Sequence, residues 1–395
     1  MRKIKFLLLS SLLATSLSLY TGCGKTESAT EKADKIAKET KKFHIVSTTF
    51  PQYDWTKEVI GDKIELYDMT LLLDNGVDLH SYQPTAEDIM KISESDLFLH
   101  VGGASDGWVD DILEKAVNKD IKVINLVDTL GDNVKMEETV EGMEAHSHDH
   151  DHEDGHDHED EHDHEDGHDH EDGHDHEDEH DHEDEHDHED GHDHEDEHDH
   201  EDGHDHEDGH DHEDGHHHED EHVWLSLKNA ATITKQIENE LAEIDPENAQ
   251  VYHANGEAYI KQLQDMDKEY QTMVENAKRK TVLFGDRFPF RYLVDDYHLD
   301  YFAAFSGCSA ETEASFETVT FLANKVEELQ LPAICVLENS DQKIANVVKE
   351  NTKKKDQEIV VMDSLQSVTK QQVDSGYTYL KAMKQNLENL TKTLN

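Results

Sequence analysis

Along two stretches of the chain, short apolar runs alternate with amphipathic helical patterns. In the first stretch, residues 43–49, 64–71, 97–101 and 122–127 read as strands. Residues 51–60, 84–93 and 107–118 read as helices, the first closed by Gly61 and the second opened by Pro84. In the second stretch, residues 281–284, 301–305, 333–337 and 358–362 read as strands. Helices are expected at 288–297, 316–329 and 341–349, with a terminal one at 371–394. Regular β-α alternation predicts parallel twisted sheets covered on both faces.

Between the two series, Val251, Tyr259, Leu263, Met266, Tyr270, Met273 and Ala277 recur at three- and four-residue steps. One helical face is therefore apolar over about 30 residues. Asp245-Pro246-Glu247 reads as its start, with proline at the first helical position. A helix of that length spans about 45 Å and would join two units rigidly. The expected class is α/β, in two lobes of parallel sheet flanked by helices and joined by one long helix. Residues 43–243 form the N-terminal lobe, 244–279 the connecting helix and 280–395 the C-terminal lobe. Open α/β sheets bind ligands at the carboxyl ends of their strands, so the site is expected in the cleft between the lobes.

Composition changes this picture at one place. Residues 146–222 contain 28 His, 41 Asp plus Glu, seven Gly, one Ser and no Lys or Arg. That tract carries −41 of the formal −59, and the remaining 318 residues hold 35 basic and 53 acidic side chains. The repeat is close to His-Glu-Asp-Gly/Glu-His-Asp. Without apolar side chains nothing offsets chain entropy, so 146–221 is expected to be a disordered insertion in the first lobe. Its imidazoles suit zinc, copper and nickel, and it is expected to hold several ions weakly, releasing them as histidine protonates near pH 6. No basic patch exists to neutralise phosphates, which excludes nucleic acid as a partner, and an anionic membrane surface would repel the chain. Cations are the natural partners.

At the start, Met1 to Lys5 is basic and residues 6–20 are apolar with small hydroxyl residues. Fifteen residues are too few to span a bilayer, so 1–22 reads as a secretory leader. It ends in Tyr20-Thr21-Gly22-Cys23, which resembles the bacterial lipobox, with Tyr20 where leucine is usual. Cys23 is the expected lipidation site, 23–42 a tether, and the location extracytoplasmic, lipid-anchored to the outer face of the cell membrane. The other cysteines are Cys308, beside acidic residues, and Cys335, inside an apolar strand; their spacing does not indicate a disulfide.

The tract ends in Glu221-His222-Val223-Trp224-Leu225-Ser226, and upstream lies Asp78-Leu79-His80-Ser81-Tyr82-Gln83-Pro84-Thr85. An early Asp-x-His loop and a His-Val-Trp-Leu following a His-rich insertion, within two α/β lobes and a connecting helix, resemble the zinc and manganese ABC-transporter solute-binding proteins. The resemblance extends from Phe43 onward. It implies metal ligation by His80 and His222, and by an aspartate after the last strand, corresponding to Asp363. The family places His or Glu three residues before an aromatic in a Phe-x-Tyr turn. Here Phe290-Arg291-Tyr292 puts Arg287 there, and a guanidinium cannot bind a cation. Asp286 is the expected substitute, with Glu311, Glu313 and Cys308 as alternatives. His44, His100, His253 and His298 carry no spacing argument.

The resemblance implies capture of a divalent transition metal, Zn2+ with Mn2+ as the alternative, by a monomer that delivers it to an ABC-transporter permease. A surface metal buffer or adhesin without transport is the second reading. No His-Glu-x-x-His helix or nucleophile turn is present, so no enzyme is expected.

Overall fold

The computed structural model describes residues 42–144, 219–309 and 313–395. The leader, Cys23, nearly all of the tether, residues 145–218 with all but the last four residues of the acidic tract, and Glu311 lie outside them. The first lobe is built on β1 (Phe43–Ser47), β2 (Tyr67–Leu71), β3 (Leu97–His100) and β4 (Lys122–Asn125). They form one parallel sheet in the order β2-β1-β3-β4. Helices α1 (Phe50–Ile60), α2 (Ala86–Glu94), α3 (Val109–Glu114) and α4 (Leu126–Leu130) connect and flank these strands. β5 (Thr281–Phe288), β6 (Asp300–Ser306), β7 (Ala333–Leu337) and β8 (Glu358–Met362) form a second parallel sheet, in the order β6-β5-β7-β8.

Two further helices lie between the lobes in sequence, α5 (Leu227–Ile244) and α6 (Ala249–Asn276), packed on one another. α6 also touches α1 of the first lobe and the terminal helix of the second, so it bridges both cores. Its apolar face buries Tyr252, Tyr259, Leu263, Tyr270 and Val274. The expected start at Pro246 is corrected: Asp245 closes α5, and the tight turn 245–248 precedes α6. Within that turn Asp245 accepts from Asn248 Nδ2 and from the Tyr252 hydroxyl, which fixes the hairpin between the two helices. α5 itself was unforeseen, although Leu227, Ala230, Ile233, Ile237 and Leu241 form a buried stripe at helical spacing.

The second lobe carries α7 (Arg291–Asp296), α8 (Phe316–Leu329), α9 (Lys343–Asn351), α10 (Lys370–Asp374) and α11 (Tyr379–Leu394). The single terminal helix expected at 371–394 is therefore two, broken at Gly376, whose φ of 85° is left-handed. The strand expected at 64–71 is shortened, because Gly61–Leu66 forms a 3-10 turn before β2. Two core clusters result, one running through the first lobe, α5, α6 and the inner side of the second, the other under α8 and α9. Asp54 on α1 is 3% exposed and its Oδ2 accepts from Tyr379 N at 2.8 Å, tying the first lobe to the start of α11. Burial foremost pushes the Asp54 carboxyl up to about 7.

The segment Lys135–Met136, upstream of the acidic tract, meets the tract's last residues. Met136 and Glu219 form an antiparallel bridge, and Asp220 N donates to Lys135 O at 2.8 Å. The Tyr292 hydroxyl binds both segments, donating to Asp220 O at 2.8 Å and accepting from Lys135 N at 3.0 Å. Among the described residues no helix is long and apolar enough to cross a membrane.

Candidate metal centre

His80 lies in the 3-10 turn Leu79–Ser81, beyond the carboxyl end of β2. Asp78 caps that turn, Oδ1 accepting from His80 N at 3.0 Å. His222 immediately precedes the 3-10 turn Val223–Leu225, whose three residues are buried. Trp224 holds this turn between the lobes: its indole Nε1 donates to Ser364 O at 2.8 Å, and its own carbonyl accepts from the Tyr379 hydroxyl at 2.7 Å. The two imidazoles, 142 residues apart in the chain, face one another with 3.2 Å between their Nε2 atoms.

Their other nitrogens are engaged. His222 Nδ1 lies 2.8 Å from Asp220 Oδ1, which also accepts from His222 N at 2.9 Å. His80 Nδ1 lies 2.9 Å from Ser105 Oγ and 3.5 Å from Glu221 Oε2. A partner at Nδ1 holds each ring in place and turns its Nε2 toward the facing ring, the orientation of a histidine that ligates through Nε2. Burial first, and then His222, pull the His80 imidazole down to about 4. For His222 burial acts downward too and is the largest single influence, but Asp220, Asp78 and Glu221 together leave the ring above its ordinary value. Asp78 shows the converse balance: burial pushes its carboxyl up, and His80 and Arg287 together hold it below the usual range.

Cys308, just past the carboxyl end of β6, completes the group. Its sulfur and one nitrogen from each of His80 and His222 all lie within 4.8 Å of one another. The neighbouring Gly307 is needed for this approach, since a Cβ there would stand 3.0 Å from His222 Cε1 and 2.9 Å from Phe288 O. Burial pushes the Cys308 thiol well up, and Glu137, whose carboxylate accepts from Cys308 N at 3.1 Å, acts the same way. Cys308 and Cys335 are both free. Gln366, beyond β8 and 3% exposed, was not anticipated. Its surroundings orient the amide with oxygen 2.8 Å from His222 Nε2 and nitrogen 3.0 and 3.2 Å from the Asp78 oxygens. Only its position four residues past a strand end hinted at this.

The two expected aspartates stand apart from this group. Asp286 Oδ1 accepts from Arg287 N at 2.9 Å and Oδ2 from Leu337 N at 3.2 Å. Asp363 Oδ1 accepts from Leu365 N at 2.9 Å, and Oδ2 from the Tyr377 hydroxyl. In both, each carboxylate oxygen already accepts one hydrogen bond, so His80, His222 and Cys308 are grouped without either aspartate. Glu313 is exposed. His100 is buried, stacked on Phe98 and paired with Asp106 at 3.2 Å.

Comparison with known proteins decides the lineage. The profile of the family described as "ZnuA: Zinc-uptake complex component A periplasmic" matches residues 45–393. The chain belongs to this family. It is 26% identical over 385 residues to the high-affinity zinc uptake system protein ZnuA of Bacillus subtilis, covering 97% of this chain and 96% of that protein. It is 27% identical over 357 residues to the zinc-binding lipoprotein AdcA of Streptococcus pneumoniae, covering 89% of this chain but 56% of AdcA, so it spans little more than half of that relative. Among solved structures, the Zn(II)-bound ZnuA-like domain of Streptococcus pneumoniae AdcA superposes with a TM-score of 0.58 at 24% identity, covering 89% of this chain and 99% of that domain. The metal-dependent lipoprotein YcdH of Bacillus subtilis gives 0.60 at 23% identity, covering 89% and 99%. At that identity these two establish the fold, in agreement with the two-lobed α/β architecture inferred from the alternating runs.

Proposed function

We propose that this chain captures a single divalent transition metal ion, Zn2+, between His80 and His222 with Cys308 as third donor, and hands it to an ABC-transporter permease. One observation carries the reading: the two Nε2 atoms stand 3.2 Å apart with their Nδ1 atoms already engaged. Zinc lies about 2.0–2.1 Å from imidazole nitrogen, so two nitrogens on one tetrahedral ion are about 3.3 Å apart. Two imidazoles and a thiol are a borderline-to-soft set, which favours zinc over manganese. The Gln366 amide oxygen, 2.8 Å from His222 Nε2, faces the same point and would supply a neutral fourth donor.

The site does no chemistry on its cargo. Ligand atoms from both lobes converge, so release requires the lobes to separate, and a permease that parts them would free the ion. The relatives named for zinc uptake, and one named as a lipoprotein, support transport and an extracytoplasmic, Cys23-anchored location. The acidic tract would gather ions for the cleft.

Chelator competition on the full chain, the H80A/H222A variant and a variant lacking residues 146–216 tests this. Wild type and the deletion should each retain one tight zinc site, the deletion losing only weak, multiple binding. H80A/H222A should lose the tight site and keep the weak ones. Unchanged tight affinity in H80A/H222A refutes the assignment, and loss of all binding in the deletion reduces the protein to a buffer.

A further inference from the structure

Arg287 projects into a site whose proposed cargo is a cation. Between Phe284 and Arg287 β5 carries one residue more than β6, since Phe284 pairs with Ala303 and Arg287 with Phe305. Such a bulge re-aims the side chains that follow it. The Arg287 guanidinium crosses from the second lobe to the first, where Nη2 donates to Asp78 Oδ2 at 3.0 Å. Nη1 also approaches Ser309 O at 3.5 Å. Side-chain exposures of 28% for Arg287 and 17% for Asp78 place the pair where solvent screens it only in part.

Asp78 is thus divided between two tasks. Oδ1 caps the turn that carries His80, and Oδ2 is held by the opposite lobe. The Gln366 amide nitrogen donates to both oxygens, adding a second interlobe link to the same carboxylate. We propose that Arg287 is a positioning residue. Through Asp78 it clasps the His80 turn to the C-terminal lobe and sets the distance of His80 from Cys308 across the cleft before an ion arrives. This rests on the reading of His80 and His222 as ligands. Arg287 has two opposed effects on a bound cation: as a clasp it strengthens binding by preorganising the donors, and as a positive charge it weakens binding by repulsion. With its charge matched by Asp78 at 3.0 Å, the clasp dominates.

The test measures zinc affinity by chelator competition on full-length R287A, R287K, D78N and R287A/D78N, beside H80A/H222A. Loss of a partner that orients a ligand typically lowers metal affinity on the order of ten- to a hundredfold, and that loss is expected for R287A and for D78N. The double variant should be no weaker than the weaker single, because both remove one interaction. R287K should recover part of the loss, since lysine keeps the charge but not the planar fork. A purely structural role would lower the metal-free melting temperature without this coupling. Affinity in R287A equal to or tighter than wild type overturns the clasp, as does strict additivity of the two losses. Should R287A not fold, R287Q, which keeps most of the bulk, is read by the same criteria. Tight binding retained by H80A/H222A removes the site and the clasp with it, whereas its loss beside an unaffected R287A removes the clasp alone.

Discussion

The carboxyl edges of the two sheets contribute to the cleft in different ways. Beyond the first sheet, the loop after β2 brings an imidazole whose supports, Ser105 and Glu221, come from neighbouring loops of that side. Beyond the second, loops bring Cys308 and the Gln366 amide and the bulged end of β5 brings the Arg287 guanidinium, while Asp286 near the end of β5 and Asp363 after β8 accept from backbone amides and the Tyr377 hydroxyl. An aspartate after a strand is good turn chemistry in its own right, because it accepts from amides that the ending ladder leaves unpaired.

The sharpest way to break this contrast is at Cys308. C308A should weaken zinc binding by at least tenfold while C335A, deep in β7 beside Thr393, leaves it unchanged. Equal affinities for C308A and wild type would remove the second lobe's principal donor. Asp54 gives the next effect, this time on stability, because it is the first lobe's own example of an acid spent on structure. Its folded value of about 7 lies above its unfolded value of 3.8, so the native state binds the extra proton between them. Stability from this group is therefore fully present below about pH 4 and is lost as pH rises to about 7, by on the order of 4 kcal/mol. Chemical denaturation at stepped pH should show D54N flattening that decline, and an unchanged slope would contradict the assignment. The smallest effects belong to the strand-end acids. D286N and D363N should each cost about 1 kcal/mol of stability by weakening charge-assisted turn bonds, with zinc affinity within threefold of wild type. A loss of affinity beyond tenfold in either would restore that residue as a ligand.

Much of the fold was legible because it rests on composition over five to ten residues. The runs that became β1, β3, β7 and β8 are apolar enough to be read directly, and 316–329 and 333–337 match their elements end to end. Boundaries moved where backbone geometry overrode apolarity, as at the 3-10 turn Gly61–Leu66 and at Gly376. At the site, the two histidines were legible from the local patterns around them. The direction in which Asp286 and Asp363 point was not, because it depends on which amide each turn leaves unpaired. Gln366 was missed for a related reason: an uncharged amide gives no signal of ligation until its neighbours are in place. Arg287 was legible as a departure, but its partner Asp78, 209 residues away, was visible only in three dimensions.

The hydroxyl of Tyr292 has a consequence for how this gene can change. It pins Lys135 to Asp220, and the chain stays packed beyond that point, with Met143 buried and Glu144 N donating to Ala304 O at 3.0 Å. Each doubling of an excursion closed in this way adds only about 0.6 kcal/mol of entropic cost. A change in the number of repeat units between these anchors would therefore alter the closure cost only slightly.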